Sequence, residues 1–223
     1  MTNKIVIFAG PSLYGANIDQ GVDPSIEWAP PARRGDIAAL MASPNPPKVI
    51  ALADGTFHAY PAVSHVELRH ALEQGVVIYG LCSMGAIRAS EMVHMGMLAW
   101  GKVAAYFCTD PDLADDEVAL IHGVEAPFMP MTEPLIHIRE FLSLMQDTDI
   151  LTPEQAKSTR LHLQQRWYGE RTLRVLREYL QTLLGERLPP AIVAALSDFR
   201  PYRLKQQDLR DFVHQRPWAD GSP

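Results

Sequence analysis

The fold is predicted most clearly by the segment Val76-Val77-Ile78-Tyr79-Gly80-Leu81-Cys82-Ser83-Met84-Gly85-Ala86-Ile87. Its short β-branched run is typical of a strand buried on both faces, and the residues from Ala86 onward favour a helix. Cys82 and Ser83 are then expected at the turn between strand and helix. Backbone N–H groups without an intrahelical partner occur at such a turn and could hold an oxyanion.

The same alternation of strand and helix occurs upstream. Strands are predicted over residues 5–9 and 49–53, and helices from about residue 37 and over residues 64–73. Residues 103–108 and 118–122 are weaker strand candidates, and the second can also be interpreted as helix. Repeated strand–helix units predict an α/β fold with a mostly parallel sheet and flanking helices in three layers.

After about residue 131 the pattern becomes helical. Helices are predicted over residues 133–145, 153–184 with a break near Gly169, 189–196 and 205–213. Thr152 before Pro153 is typical of a helix start. We therefore divide the chain into an α/β core over residues 1–130 and an all-helical C-terminal region over residues 131–223.

Composition excludes several classes of protein. The chain has 223 residues, 47% of them hydrophobic, and only two cysteines, so it can bury a core and is no disulfide scaffold. No signal peptide or membrane span is visible, which predicts a reduced, cytoplasmic protein that does not bind membranes. Residues 1–130 carry 7 Lys+Arg against 14 Asp+Glu, an acidic balance that argues against nucleic-acid binding.

Three predicted strands end in polar or small residues. These ends are Gly10-Pro11-Ser12, Asp54-Gly55-Thr56-Phe57-His58 and Cys82-Ser83-Met84-Gly85. Parallel α/β sheets bind ligands at the carboxyl ends of their strands. We therefore expect these loops to form one cleft.

The turn at Cys82 and Ser83 resembles a nucleophile elbow, in which small residues flank the nucleophile two positions away on each side. Either choice of nucleophile has one small flank: Gly85 for Ser83, and Gly80 for Cys82. The alternative for Ser83 is a helix N-cap, a position that serine favours.

Candidate bases lie after the second strand. Asp54 could orient a histidine or could simply form an Asp-Gly turn. His58 and His65 are the nearby histidines, and His65 is expected in the first turn of its helix, where the helix dipole favours the neutral ring. Glu67 has a structural alternative, because Ser64 and Glu67 have the spacing of a capping box.

Other charged residues have structural explanations. Arg88 and Glu91, three apart on a predicted helix, can form a salt bridge, whereas Arg34 is left to meet a carboxylate. Asp115-Asp116-Glu117 and His122 lack a second histidine or cysteine at ligand spacing, and no phosphate-binding glycine loop is present. We therefore expect neither a metal nor a cofactor.

Several motifs together resemble the TfuA-like protein family, over roughly the first 125 residues. A weaker match is Tyr168-Gly169-Glu170-Arg171-Thr172. In order, the main motifs are Phe8-Ala9-Gly10-Pro11-Ser12-Leu13, Pro30-Pro31-Ala32 with Arg34-Gly35-Asp36-Ile37, Asp54-Gly55-Thr56-Phe57, Pro61-Ala62-Val63-Ser64-His65-Val66-Glu67-Leu68, Ser83-Met84-Gly85-Ala86-Ile87-Arg88-Ala89-Ser90-Glu91 and Asp115-Asp116-Glu117-Val118-Ala119.

The resemblance implies a role beside a YcaO-type ATP-dependent enzyme that converts a backbone amide of a peptide or protein to a thioamide. The family's proposed task is sulfur delivery. One route is hydrolysis of the C-terminal thiocarboxylate of a ubiquitin-like sulfur carrier, which releases sulfide.

The site residues follow from this chemistry, which is acyl transfer. Ser83 matches the family's Ser-Met-Gly-Ala element and is the expected nucleophile, with His65 as base, oriented by Asp54 or Glu67. N–H groups near Met84 and Gly85 would form the oxyanion pocket, and Arg88 or Arg34 would hold the carrier. The candidate binding residues are Pro11, Ser12, Arg34, Gly55, Met84, Gly85, Arg88 and Glu91.

Three alternatives stay open. Cys82 stands where the family usually has a small apolar residue, so it could act as nucleophile, carry a persulfide, or be an inert buried thiol. The protein could instead be a non-catalytic adaptor that docks the YcaO enzyme or its substrate, with Ser83 as a cap. A general small-amide hydrolase fits the serine turn but leaves the set of motifs unexplained.

Overall fold

The computed structural model describes residues 4–56 and 60–219 and has a five-stranded parallel sheet. The sheet order is β2-β1-β3-β4-β5, and every neighbouring pair is parallel. The strands are β1 Ile5–Phe8, β2 Ile26–Ala29, β3 Val49–Leu52, β4 Val77–Gly80 and β5 Leu98–Ala99. The predicted α/β class is confirmed.

The helices have the following bounds: α1 Asp36–Met41, α2 His65–Glu73, α3 Met84–Met92, α4 Gly101–Thr109, α5 Leu135–Asp147, α6 Pro153–Gln164, α7 Leu173–Leu184, α8 Pro190–Ser197 and α9 Leu204–Gln215. The predicted break near Gly169 is confirmed, since a short 3-10 turn separates α6 from α7.

The central strands are buried on both faces because helices cover each side. Val6 and Phe8 of β1 pack with residues of α1, α2 and α3, whereas Ile5 and Ile7 pack with Leu209 of α9. All four residues of β1 and of β3 are buried. This explains the continuous apolar runs in the sequence.

Two strand predictions are wrong. Residues 103–108 lie in α4, and residues 118–122 form neither strand nor helix, apart from an isolated bridge between His122 and Pro130. The first error has a physical cause. The N-terminus of α4 is held by the carboxylate of Asp208, which accepts from the N–H groups of Lys102 and Val103 at 2.9 Å each and lies far away in sequence.

The chain forms two compact units. One contains Met1–Leu113 and Lys205–Pro223, and the other contains Ala114–Leu204. Most of α9, in the predicted helical region, therefore belongs with the sheet. Within the described ranges, no helix combines the length and apolar character needed to cross a membrane.

Candidate functional site

The candidate site lies where the connections of the sheet diverge. β1 lies between β2 and β3, so the chain leaves β1 toward one side of the sheet and the later strands extend toward the other. In open α/β sheets, ligands bind at the carboxyl ends of the strands at such a switch point. Gly10-Pro11-Ser12 follows β1 there, and Asp54 follows β3.

Asp54 organises the loop after β1. Its carboxylate accepts hydrogen bonds from the N–H groups of Gly10 and Ser12, at 2.8 Å each, and from the Ser12 hydroxyl at 2.7 Å. The Nζ of Lys205, also buried, lies 3.9 Å from Asp54 Oδ1. The carboxylate therefore binds loop residues and a lysine, and it does not orient a histidine among the described residues.

Ser83 occupies a strained strand-to-helix turn. Cys82 before it has φ 62°, in the left-handed region that non-glycine residues rarely adopt. Ser83 stands at the N-cap position of α3, yet its side chain makes no capping hydrogen bond to the described residues. The N–H of Ser83 donates to the Ala53 carbonyl at 3.1 Å, which holds the turn against the residue before Asp54. Ser83 is 3% exposed.

The start of α3 supplies an amide donor beside this hydroxyl. Met84 is the first helical residue, and its N–H has no backbone acceptor in the part of the chain that the structure describes. The N–H of Gly85 faces the Ala53 carbonyl at 3.4 Å. Of the two expected oxyanion donors, Met84 is therefore the one without a competing acceptor.

Cys82 points away from this donor, into the core. It is fully buried, and its Sγ donates to the Lys205 carbonyl at 3.2 Å. Burial, together with the nearby carboxylates of Asp208 and Asp54, raises the pKa of the Cys82 thiol well above its ordinary value. The thiolate needed for nucleophilic attack is therefore disfavoured.

His65 is bonded to Glu91 of α3 rather than to Asp54 or Glu67. Its Nε2 lies 2.8 Å from Glu91 Oε2, and the same oxygen accepts from Arg88 Nη1 at 2.6 Å, which confirms the expected Arg88–Glu91 pair. Arg88 Nε also donates to the Val63 carbonyl at 3.0 Å. Because a helix rises about 1.5 Å per residue, Glu91 lies roughly 12 Å along α3 from Ser83. The structure thus forms a partly exposed His65–Glu91–Arg88 cluster two turns from the serine.

The Glu67 carboxylate binds two backbone N–H groups. Its Oε1 accepts from the N–H of Ser64 at 2.6 Å, and its Oε2 accepts from the N–H of Gly35 at 2.9 Å. The predicted capping box is confirmed. Arg34 is exposed, and its Nε faces the Ala62 carbonyl at 3.4 Å.

The remaining predicted residues are Gly55, Met84 and His58. A Cβ on Gly55 would lie 2.8 Å from the Met84 side chain, so these two residues pack directly together. His58, the other candidate base, lies outside the described residues, as does Phe57.

The acidic motif after α4 has a structural function. Asp116 Oδ2 accepts from Arg171 Nη2 at 2.5 Å, and Glu117 Oε1 accepts from Arg139 Nη2 at 2.5 Å. Arg171 is fully buried and also donates to the carbonyls of Asp116 and of three residues around the end of α6. No metal-binding group of three or more His, Cys, Asp or Glu residues occurs in residues 4–56 and 60–219.

Sequence reasoning missed the contribution of α9. Its first turns supply Lys205 to Asp54 and the Lys205 carbonyl to Cys82. Gln206 Nε2 faces the Pro11 carbonyl at 3.4 Å. These residues lie more than 120 positions after Cys82 and carry no local motif, so only the tertiary structure shows that they belong to the site.

A family model matches a large part of the chain. The model of the family described as TfuA-like protein matches residues 54–172, more than half of the chain. This range contains Asp54 and Ser83 but neither the loop after β1 nor α9. No curated protein matches the chain.

Proposed function

The chain belongs to the TfuA-like family, and we propose that it delivers sulfur for backbone thioamidation by hydrolysing the C-terminal thiocarboxylate of a sulfur carrier. The family has an accessory role in thioamide formation and is associated with YcaO-type partner enzymes. The observation that carries the proposal is the Ser83 hydroxyl, which stands at a strained turn beside the Met84 amide and makes no capping bond.

The chemistry is an acyl transfer in two steps. Ser83 Oγ attacks the thiocarboxylate carbon, and the Met84 N–H stabilises the oxygen of the tetrahedral intermediate. The carbon–sulfur bond then breaks, the serine proton passes to the departing sulfur, and hydrosulfide and an acyl-serine result. Water hydrolyses the acyl-serine, which regenerates the hydroxyl and leaves a carboxylate and a proton.

In this scheme the sulfur of the substrate accepts the serine proton. His65 need not contact Ser83, which agrees with its hydrogen bond to Glu91. We assign the His65–Glu91–Arg88 cluster to binding of the carrier. His65→Ala is therefore expected to raise KM with little change in kcat, because a binding contact is lost and the reacting groups are kept.

The test uses a thiocarboxylated carrier protein mixed with the purified protein. Mass spectrometry follows conversion of the carrier to the carboxylate, and a colorimetric assay follows sulfide. Ser83→Ala is expected to lower kcat at least 100-fold, about the scale of losing a catalytic group. Ser90→Ala is the matched control, because Ser90 lies on the same helix and donates only to the Ile87 carbonyl at 2.8 Å. Full activity of Ser83→Ala would refute the nucleophile assignment.

A second function is favoured by a different observation. The Asp54 carboxylate is bonded to Gly10 and Ser12, and no described histidine is bonded to Ser83, as expected for a site that only binds a peptide tail. As an adaptor, the protein would dock the YcaO enzyme or its substrate. If wild-type protein leaves the carrier intact and Ser83→Ala still supports full thioamide formation by the YcaO enzyme, the adaptor function stands.

A further inference from the structure

The first turns of α9 meet the strand-end loops through adjacent residues. Lys205 pairs with Asp54, and Gln206 contacts Pro11 in the loop that Asp54 holds. A positive charge and an amide side chain thus lie at the switch point of the sheet, although they come from the end of the described chain.

Gln206 has an unsatisfied hydrogen-bond acceptor. The residue is 6% exposed, and its Oε1 has no partner among the described residues. Exchanging the amide oxygen and nitrogen would not repair this, because the oxygen would then face the Pro11 carbonyl, which also accepts. Buried polar atoms without a partner are rare in folded proteins.

The chemistry around this oxygen specifies its ligand. An acceptor requires an N–H or O–H donor. The neighbouring Ser12 hydroxyl and N–H are already bound to Asp54, so they do not supply one. The adjacent Lys205 is already paired with Asp54, so its charge does not specify the ligand.

We propose that Gln206 forms a subsite beside the loop after β1 that accepts a backbone N–H from an extended peptide ending in a carboxylate or thiocarboxylate. The proposal rests on the proposed function, because it identifies the carrier tail as the ligand. Gln206 then selects a peptide tail over a small thioacid that lacks an amide. Gln206 touches no reacting atom and acts as a binding residue.

The test changes the peptide as well as the protein. An acetylated hexapeptide of glycine and alanine with a free carboxylate is titrated into the full-length protein by calorimetry. In three further peptides, each of the last three amide N–H groups is replaced in turn by an ester oxygen. One ester is expected to bind about tenfold more weakly than the amide peptide, the scale of one lost hydrogen bond.

Gln206→Met completes a double-substitution cycle. This variant is expected to bind the amide peptide about tenfold more weakly and to treat that amide and that ester alike. Gln215→Met is the matched control, since Gln215 is an exposed residue at the end of the same helix. If the wild-type protein binds no peptide, or binds all esters as tightly as the amide, the subsite is refuted, even if Gln206→Met fails to fold. Binding is measured without turnover, so thiocarboxylate hydrolysis can fail or succeed independently.

Discussion

Gly85 lies against the backbone of Leu52, since a Cβ at Gly85 would come within 1.5 Å of the Leu52 carbonyl oxygen. Helix α3 therefore begins directly on strand β3, with no side chain between them. This close approach places the Ser83 turn beside the end of β3, where Asp54 holds the first loop.

Gly85→Ala is expected to destabilise the sheet unit by about 3 kcal/mol or more, because neither backbone segment can move without disturbing the strand. Urea unfolding followed by circular dichroism measures the change. Gly21→Ala is the control, since its new Cβ would make an ordinary contact of 3.5 Å with Asp19. Equal stabilities of the two variants would show that α3 does not need this approach.

The two cysteines are expected to differ in reactivity. Cys82 is buried and its thiol has a pKa raised well above the ordinary value by burial, whereas Cys108 is exposed, with a pKa raised by partial burial. Native protein treated with iodoacetamide at neutral pH should gain one label, and denatured protein two, by mass spectrometry. Cys108→Ser should gain none when native. Rapid labelling of Cys82 in the native protein would show that its thiol is accessible, and Cys82 would then be a candidate nucleophile again.

Asp208 is expected to make stability depend on pH. Burial raises the pKa of Asp208 to about 6, against 3.8 for the unfolded chain, so the folded protein binds this proton more tightly. The tighter proton binding therefore stabilises the folded protein. This stabilisation is fully present below about pH 3.8 and is lost as the pH rises through about 6. The loss amounts to up to about 3 kcal/mol.

Chemical denaturation at steps between pH 4 and pH 7 measures this loss. Asp208→Asn should remove this part of the pH dependence, since asparagine does not titrate. A difference in unfolding free energy between wild type and variant that stays constant over this range would contradict the shifted titration.

Arg171 is expected to be essential for the second unit. Its guanidinium is fully buried and bonded to Asp116 and to carbonyls at the end of α6, so Arg171→Met leaves these acceptors without partners. We expect a loss of about 3 kcal/mol or more by urea denaturation. Arg174→Met, at a side chain that is 82% exposed, should change stability by less than about 0.5 kcal/mol. If Arg171→Met were as stable as Arg174→Met, the buried network would contribute nothing.

Local sequence patterns were sufficient to predict the strands that are buried on both faces. β1, β3 and β4 carry continuous apolar runs, and polar or small residues follow each of them. β2 was missed because Ile26-Glu27-Trp28-Ala29 forms an edge strand with only one buried residue, and β5 has two residues. Such short strands depend on pairing with their neighbours, which a local pattern does not contain.

In the candidate site, too, some residues could be predicted from local sequence and others could not. Asp54 and Ser83 could be identified from strand ends, because the carboxyl edge of a parallel sheet gathers them without further information. The partner of His65 could not be identified from the sequence. Glu91 is 26 positions away, and the nearer carboxylates of Asp54 and Glu67 were equally plausible. Lys205 and Gln206 reach the site only through the return of α9 to the sheet.

That return has a consequence for synthesis on the ribosome. The sheet unit is discontinuous in sequence, so all five strands and Ser83 leave the exit tunnel well before Lys205 is translated. Until then Ile5 and Ile7 are not covered by Leu209, and the Asp54 carboxylate is not paired with the Lys205 ammonium. A nascent chain therefore exposes one face of its sheet for the time needed to translate about 90 residues, several seconds at about 5–20 residues per second. During this interval the growing protein is an expected client of ribosome-associated chaperones.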